Sequence, residues 1–234
     1  PQGHIDFLAY APYDSKYDKK VTKDNQELNF IVSPTIKDQK DLLWAKATNQ
    51  TMANNSGTDK KVKFQFAHAL SRLGYTVKLN KEYTGTTITL NKITLAGSKD
   101  GNQKAFYPNG TINLSTGIWT PSTSDEKLNF EWFTNTSGTE LTTDATTNAV
   151  DNFLFVIPQD FSASETDKLY VIVEYTIKGY NGVKTPMKNT VYQKLEKDFE
   201  QGKAYTINLF LGLTPIEFDV TTVEGWIDNN PVSY

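Results

Sequence analysis

Residues 169–179 read LYVIVEYTIKG, and this stretch decides the fold class. Apolar or aromatic side chains occupy every second position, and polar side chains stand between them in the second half. Successive side chains of a β-strand point to opposite faces, so the alternation predicts a strand with one buried face. The side chains expected to point inward are Leu169, Val171, Val173, Tyr175 and Ile177.

Similar patterns recur along the chain. FLFVIPQ at 153–159 is a nearly continuous apolar run, which is typical of a strand that is buried on both sides or lies at the centre of a sheet. Together these stretches predict about thirteen short strands and almost no helix, which indicates an all-β sandwich architecture. The alternation in GKAYTINLFLGL at 202–213 places four side chains on one face: Tyr205, Ile207, Leu209 and Leu211.

The number of strands predicts the domain organisation. Thirteen strands are too many for one small sandwich, so the sequence predicts two β-sandwich domains, 1–100 and 101–234. GSKDGNQK at 97–104 combines Gly, Ser, Asp and Asn, which are typical of loops, and is the predicted boundary.

The stretch TTITLNKITLAG at 86–97 contains a change of parity. Ile88 and Leu90 share one parity, whereas Ile93 and Leu95 share the other, so a straight strand would send the two pairs to opposite faces. Either Asn91-Lys92 is a two-residue turn or one residue is bulged out. Asn-Lys is weaker turn chemistry than Asn-Gly, and the sequence therefore favours the bulge.

KVKFQFAH at 61–68 has the clearest strand pattern in the first half of the chain. Phe64 and Phe66 lie on one predicted face, and His68 continues that face. We therefore interpret His68 as a core residue whose ring nitrogens meet backbone groups, as buried polar groups must. A catalytic or ligand-binding role for His68 is the alternative.

Three other segments have local patterns that predict their secondary structure. DLLWAKA at 41–47 reads as a strand or a short helix, and its periodicity does not choose between them. ALSRLG at 69–74 predicts one helical turn that ends at its glycine. Pro186 predicts that 183–193 is an edge strand, because proline cannot donate a hydrogen bond to a neighbouring strand.

Composition excludes several classes of protein. The net charge of −3 gives no basic surface for nucleic acid, and the absence of cysteine excludes disulfides and thiolate metal sites. Glu217 and Asp219 alternate with apolar residues and are expected on one exposed face, unlike a glycosidase pair that faces across a cleft. No constellation of His, Ser or facing acids emerges, so the sequence predicts neither an enzyme nor a cofactor.

The tryptophans leave two functions open. Trp44, Trp119, Trp132 and Trp226 stand in strand-like contexts, which favours packing in a core or between domains. The alternative is a carbohydrate-binding surface module in which exposed aromatic rings stack on sugars.

Five segments, in this order, resemble the fimbrillin family, the FimA/Mfa-like surface subunits also called type V pilins. The segments are FLAYAPY (7–13), DLLWA (41–45), VKFQFAHALSRLGYTVKL (62–79), FLFVIPQ (153–159) and FEQGKAYTINLFLGL (199–213) with IEFDVTTVEGW (216–226). The resemblance implies two transthyretin-like β-sandwich domains with Greek-key-type connections. It also implies a lipoprotein at the cell surface or in the fimbrium, with its precursor associated with the outer membrane.

The resemblance further implies a way of assembling. An extended segment of the next fimbrial subunit fills a groove that is opened when an N-terminal strand is removed, so the partners are other fimbrial subunits and, beyond them, a host or glycan ligand. The family's lipidated Cys and first strands are absent from this chain, so we expect an open groove lined by Phe64, Phe66 and Leu79. The residues expected to build the core are His68, Phe64 and Phe66 in the first domain, and Val171, Tyr205, Ile207, Leu209, Phe218 and Trp226 in the second.

Overall fold

The computed structural model describes residues 3–17, 21–22, 24–53, 61–147, 152–164, 166–213 and 217–224. Apart from short 3-10 turns, the regular elements of this part of the chain are strands. In chain order they are β1 (Ile5–Ala11), β2 (Glu27–Ile31), β3 (Leu43–Gln50), β4 (Ala67–His68), β5 (Ser71–Leu79), β6 (Thr87–Ala96), β7 (Asn109–Asn113), β8 (Trp119–Pro121), β9 (Phe130–Glu140), β10 (Thr146–Thr147), β11 (Leu154–Val156), β12 (Tyr170–Lys178), β13 (Met187–Lys194), β14 (Lys203–Leu211) and β15 (Glu217–Glu224). The predicted all-β fold class is confirmed.

Two of the four sheets face each other as a sandwich. The first has the strand order β13-β12-β6-β9, and the second has β10-β5-β14-β15 with β11 also paired to β5. Their inner faces meet where the ring of Tyr75 packs edge-on against Trp132 at a centroid distance of 5.0 Å. The Tyr175 hydroxyl closes a second contact by donating to the carbonyl of Gly212 at 3.2 Å.

The side chains that the alternating pattern predicts to point inward fill the space between these two sheets. On β12 the residues predicted to face inward are buried, while Glu174 and Lys178 are exposed. On β14, in the facing sheet, the side chains that the sequence predicted to share one face are also buried. The buried members of the two sets are Leu169, Val171, Val173, Tyr175, Ile177, Tyr205, Ile207, Leu209 and Leu211.

The predicted bulge in 86–97 is confirmed. β6 runs without a turn, and on β12 Tyr175 pairs with Leu90 while Glu174 pairs with Lys92. Asn91 is therefore the extra residue. Because the bulge shifts the pleat by one position, the apolar side chains on both sides of it point into the same core.

The two smaller sheets extend the core at one side. One has the order β1-β3-β4 and the other β2-β7-β8. Leu28 and Phe30 of β2 and Ile112 of β7 belong to the same buried cluster as the sandwich. The strand alternative for 41–47 is the observed one, since β3 covers most of this segment.

A chain of aromatic rings crosses the core. Phe130 of β9 and Tyr205 of β14 are its two ends, and three phenylalanines from the connecting segments lie between them. All five rings are buried. Successive centroid distances are 5.3 Å for Phe130–Phe106, 5.7 Å for Phe106–Phe161, 5.9 Å for Phe161–Phe199 and 5.0 Å for Phe199–Tyr205.

The predicted boundary near residue 100 does not coincide with a division between sheets. β5 and β6 precede it, yet they pair with β14 and β12, which follow it. The loop signals in 97–104 instead mark a compact connection, in which the amide of Gly97 donates to the carbonyl of Gln103 at 2.7 Å. Strand pairing therefore joins the segments 1–100 and 101–234. The number of domains and their transthyretin-like character stay predictions.

Two local predictions are wrong. The segment 69–74 does not form a helical turn, because β5 begins at Ser71 and its glycine lies inside the strand. Of KVKFQFAH only Ala67 and His68 form a strand, which pairs with Trp44 and Leu43 of β3. In contrast, the edge prediction for 183–193 is confirmed for the part that β13 covers, since among the described strands β13 pairs with β12 alone.

Tyr75 gives the sandwich a pH dependence in alkaline solution. Burial raises the pKa of Tyr75 from the ordinary tyrosine value of 10.0 to about 12. The unfolded chain loses this proton first, so the stability contributed by neutral Tyr75 is complete below about pH 10 and is lost as the pH rises toward 12. We expect Tyr75→Phe to flatten this fall in the free energy of unfolding, measured by urea titration at fixed pH values.

Tyr13→Phe is the matched control, because Tyr13 is exposed. Burial also raises the pKa values of Tyr175 and Tyr205. Both variants should therefore keep part of the alkaline decrease in the free energy of unfolding. An equal alkaline slope in Tyr75→Phe and Tyr13→Phe would contradict the assignment.

Candidate functional site

His68 meets a carboxylate. It is half-buried, and its Nδ1 lies 2.5 Å from Oδ2 of Asp41. The amide of Ala69 donates to the carbonyl of Leu42 at 2.7 Å beside this pair. Backbone partners for the His68 ring stay a prediction. The pair connects the start of β3 to β4, which is a structural role.

A shallow hollow of about 580 Å³ lies next to this pair. Trp44, Trp119 and His68 line it, with the exposed Ile118 at its rim. The indole N–H of Trp119 donates to the carbonyl of Ala69 at 2.7 Å. Gly117 has a φ of +78°, and a Cβ there would lie 2.3 Å from the indole of Trp44. The ring of Trp44 is therefore pressed against the backbone of this loop.

Trp132 does not offer a stacking surface. Trp132 is 1% exposed, and its indole N–H donates to the carbonyl of Asn152 at 2.8 Å. Trp44 and Trp119 are half-buried and pack against the main core. Trp226 lies outside the described residues. Packing is thus the observed role of Trp132, and a sugar cannot reach its ring.

Other predicted candidates stay apart from each other. Glu217 and Asp219 are both exposed on β15, as predicted. The backbone of Phe218 is part of that strand, whereas its side chain lies outside the described part of the structure. Among the residues that the structure describes, no group of three or more His, Asp or Glu side chains could hold a metal ion.

Phe64 and Phe66 are exposed, which corrects their assignment to the core. Their exposed fractions are 36% and 43%, and their ring centroids lie 6.1 Å apart. Leu79 belongs to the main core cluster, and the two phenylalanines do not. The structure therefore does not combine these three residues into one groove. The alternating pattern in 61–66 predicts a strand with a buried face, but the segment lies at the surface and is not paired into a sheet.

β1 is an open edge that carries apolar side chains. Among the described strands it pairs only with β3. Leu8 packs against the main core, so Phe7, with the opposite parity, faces away from it. Phe7 is 39% exposed and Ile5 is 60% exposed. We call β1, with its unpaired side, the open edge.

The floor beside the open edge is made of small residues. Ala47 is the partner of Phe7 across β1 and β3, and Ala45 lies two residues before it. Both alanines are buried although they face away from the main core. Because both alanines are already covered, the exposed apolar surface at the open edge is that of Ile5 and Phe7.

The fimbrillin-like family model matches residues 1–226. The chain belongs to the fimbrillin-like family. This confirms the family inferred from the five sequence segments. No curated protein matches the chain.

Solved structures share the fold of this fimbrillin. A fimbrial protein from Bacteroides vulgatus is 21% identical, with a TM-score of 0.69 over 94% of this chain and 77% of its own. A candidate cell adhesion protein from Bacteroides uniformis is 21% identical, with a TM-score of 0.54 over 97% and 74% of the two chains. A third structure, a candidate cell adhesion protein from Bacteroides ovatus, is 20% identical, with a TM-score of 0.51 over 98% and 71%.

Family membership makes this chain a fimbrillin-like protein, and the family consists of surface proteins that are not known as enzymes. The solved structures, at 20–21% identity, show a shared fold. No helix in the described ranges is long and apolar enough to cross a membrane. Sequence reasoning did not identify the open edge, although the exposed Ile5 and Phe7 belong to the FLAYAPY segment and its neighbours. Their alternation predicts a strand, but only the pairing shows that one side of it is free.

Proposed function

We propose that this fimbrillin is a surface subunit, either a fimbrial subunit or a fimbrillin-like adhesin, that assembles with other fimbrial subunits through β-strand complementation. In such a contact an incoming strand forms backbone hydrogen bonds with an open edge, and its alternate side chains pack on the adjacent face. The subunit reaches the outer membrane through a lipid anchor on its precursor.

The single observation that supports this proposal is the open edge. An unpaired strand side presents a row of N–H and C=O groups that favour pairing with another chain. Natural proteins usually protect such edges with charged side chains or proline, whereas this edge carries Ile5 and Phe7. A monomer that worked alone would gain nothing from exposed apolar side chains at this position.

Phe7→Lys tests the proposal. A lysine next to the open edge places a charge where the incoming strand would bury its side chains, and loss of a central contact of this kind costs about 2 kcal/mol or more. We expect incorporation of the variant into surface polymers to fall at least about tenfold, since 1.4 kcal/mol corresponds to a factor of ten. Incorporation is measured on polymers recovered from cells that express the full-length precursor, by electron microscopy and quantitative immunoblotting.

Ile118→Lys is the matched control, because Ile118 is also exposed and apolar but lies in the turn before β8. It should incorporate as the unchanged chain does. Thermal unfolding of both isolated variants separates an assembly defect from a folding defect. Equal incorporation of Phe7→Lys and Ile118→Lys, with both folded, excludes the open edge as the contact.

A further inference from the structure

The sheet β13-β12-β6-β9 contains a polar hollow of about 310 Å³ on the side away from the sandwich core. This volume lies at the lower end of the range for small-molecule sites. The side chains that face outward around it alternate with the buried residues of the same strands. It is separate from the open edge of β1, and it requires no strand exchange.

Two irregularities of strand pairing create the hollow. On one side of β6, Asn91 is bulged out between the residues that pair with β12. On the other side, Leu90 pairs with Thr139 and Lys92 with Thr134, so residues 135–138 of β9 are left out of the pairing. Both irregularities fall at the same point of β6. The sheet is therefore interrupted on both sides of Asn91 instead of presenting a continuous face.

Side-chain hydrogen bonds hold the interrupted region in place. The hydroxyl of Thr176 donates to Oδ1 of Asn91 at 2.7 Å, and Nδ2 of Asn135 donates to the hydroxyl of Thr139 at 3.0 Å. Gly138 has a φ of +80°, and a Cβ there would lie 2.8 Å from the side chain of Thr89. The side chains of Asn91 and Thr176, which line the hollow, are thus positioned before any ligand arrives, and this reduces the entropy cost of binding.

The lining combines hydrogen-bond donors and acceptors. Thr134 and Thr190 bring hydroxyls that can both donate and accept, whereas the hydroxyl of Thr176, which already donates to Asn91, can accept. Glu174 can only accept when ionised, and Lys188 can only donate. A ligand that satisfies such a lining must itself carry several groups that donate and accept, arranged around a small ring or chain.

The charged side chains around the hollow limit which ligands it can bind. Lys92 lies 2.5 Å from Glu131, so part of its charge is already balanced. Glu174 and Lys188 have opposite signs, and a strongly charged ligand would be repelled by one of them. We propose that this hollow binds one sugar ring of a neutral saccharide. Hydroxyl groups of the sugar replace the waters that hydrate the hollow, and recognition depends on hydrogen bonds without a stacked aromatic ring.

Titration with glucose, galactose and N-acetylglucosamine tests the proposal, with binding followed by NMR chemical shifts of the folded chain. We expect at least one sugar to shift the resonances of the hollow. Thr176→Val and Glu174→Gln should each weaken that binding about fivefold or more, because each removes or neutralises a polar partner. Thr94→Val is the matched control, since Thr94 lies on the same strand as the bulge and does not line the hollow.

Deletion of Asn91 gives a second, independent variant. The deletion restores a single parity to the apolar residues of β6, so the strand can pair without its bulge. The folded variant should lose sugar binding, while Phe7→Lys should retain it. Absence of binding for all three sugars, or equal weakening by Thr176→Val and Thr94→Val, overturns the proposal and leaves a solvated sheet face.

Discussion

Trp132→Ala should destabilise the protein by about 3–5 kcal/mol, as expected for truncation of a large buried aromatic side chain. The ring of Trp132 is 1% exposed and meets Tyr75 edge-on at 5.0 Å. Its truncation leaves a cavity between the two large sheets and removes the donor to the carbonyl of Asn152. Urea unfolding monitored by far-UV circular dichroism measures the loss.

Trp132→Phe separates the contribution of ring packing from that of the hydrogen bond to Asn152. The phenylalanine keeps much of the ring in the core but cannot donate to Asn152, so its cost should be a fraction of that of alanine, in the range of a buried acceptor left unsatisfied, about 1–3 kcal/mol. If Trp132→Ala lost less than about 1 kcal/mol, the ring would not be part of a packed interior. Loss of binding to sugars without loss of stability would favour a stacking role instead.

The parts of the fold that the sequence predicts are those with a local cause. The bulge at Asn91 follows from a change of parity between Leu90 and Ile93, which a single core can tolerate only if one residue is left out. Likewise, Pro186 indicates the edge position of β13 in the sequence, although it stands just before the paired residues. In both cases the physical constraint acts within a few residues and is visible in the sequence itself.

Features that depend on distant partners were not predictable in the same way. His68 has the parity of a core residue, but its partner Asp41 is 27 residues away. ALSRLG has the residues of a helical turn, yet β5 forms because β14 pairs with it in parallel across the sequence. Tertiary pairing thus overrides a weak local preference. The domain boundary near residue 100 stays a prediction, and the sequence could not show that β5 and β6 pair with strands beyond it, since only long-range pairing shows which strands share a sheet.

The candidate sites differ in how much of them a sequence can indicate. Ile5 and Phe7 predict a strand, but the openness of its edge depends on which strands stand beside it. The parity change at Asn91 indicates one side of the polar hollow, because a bulge changes the direction of the side chains around it. The excursion at 135–138 that completes the hollow has no equivalent signal, since a polar stretch of this kind also reads as an ordinary loop.

Phe161→Ala should also cost about 3–5 kcal/mol, because Phe161 is a central ring of the aromatic chain that crosses the core. The ring is 1% exposed and meets Phe106 at 5.7 Å and Phe199 at 5.9 Å, both nearly edge-on. Each aromatic pair of this geometry contributes about 0.5–1.5 kcal/mol beyond the area it buries. The free energy of unfolding from urea titration measures the change, as for Trp132→Ala.

Tyr192→Ala provides the matched control, since Tyr192 is an aromatic residue of the edge strand β13 and is 48% exposed. Its truncation should cost about 1 kcal/mol or less, because little of its surface is removed from water. Phe161→Leu separates volume from ring geometry, because leucine fills much of the space but cannot form the edge-on contacts with Phe106 and Phe199. Equal losses in Phe161→Ala and Tyr192→Ala would mean that the aromatic chain does not hold the connecting segments against the two sheets.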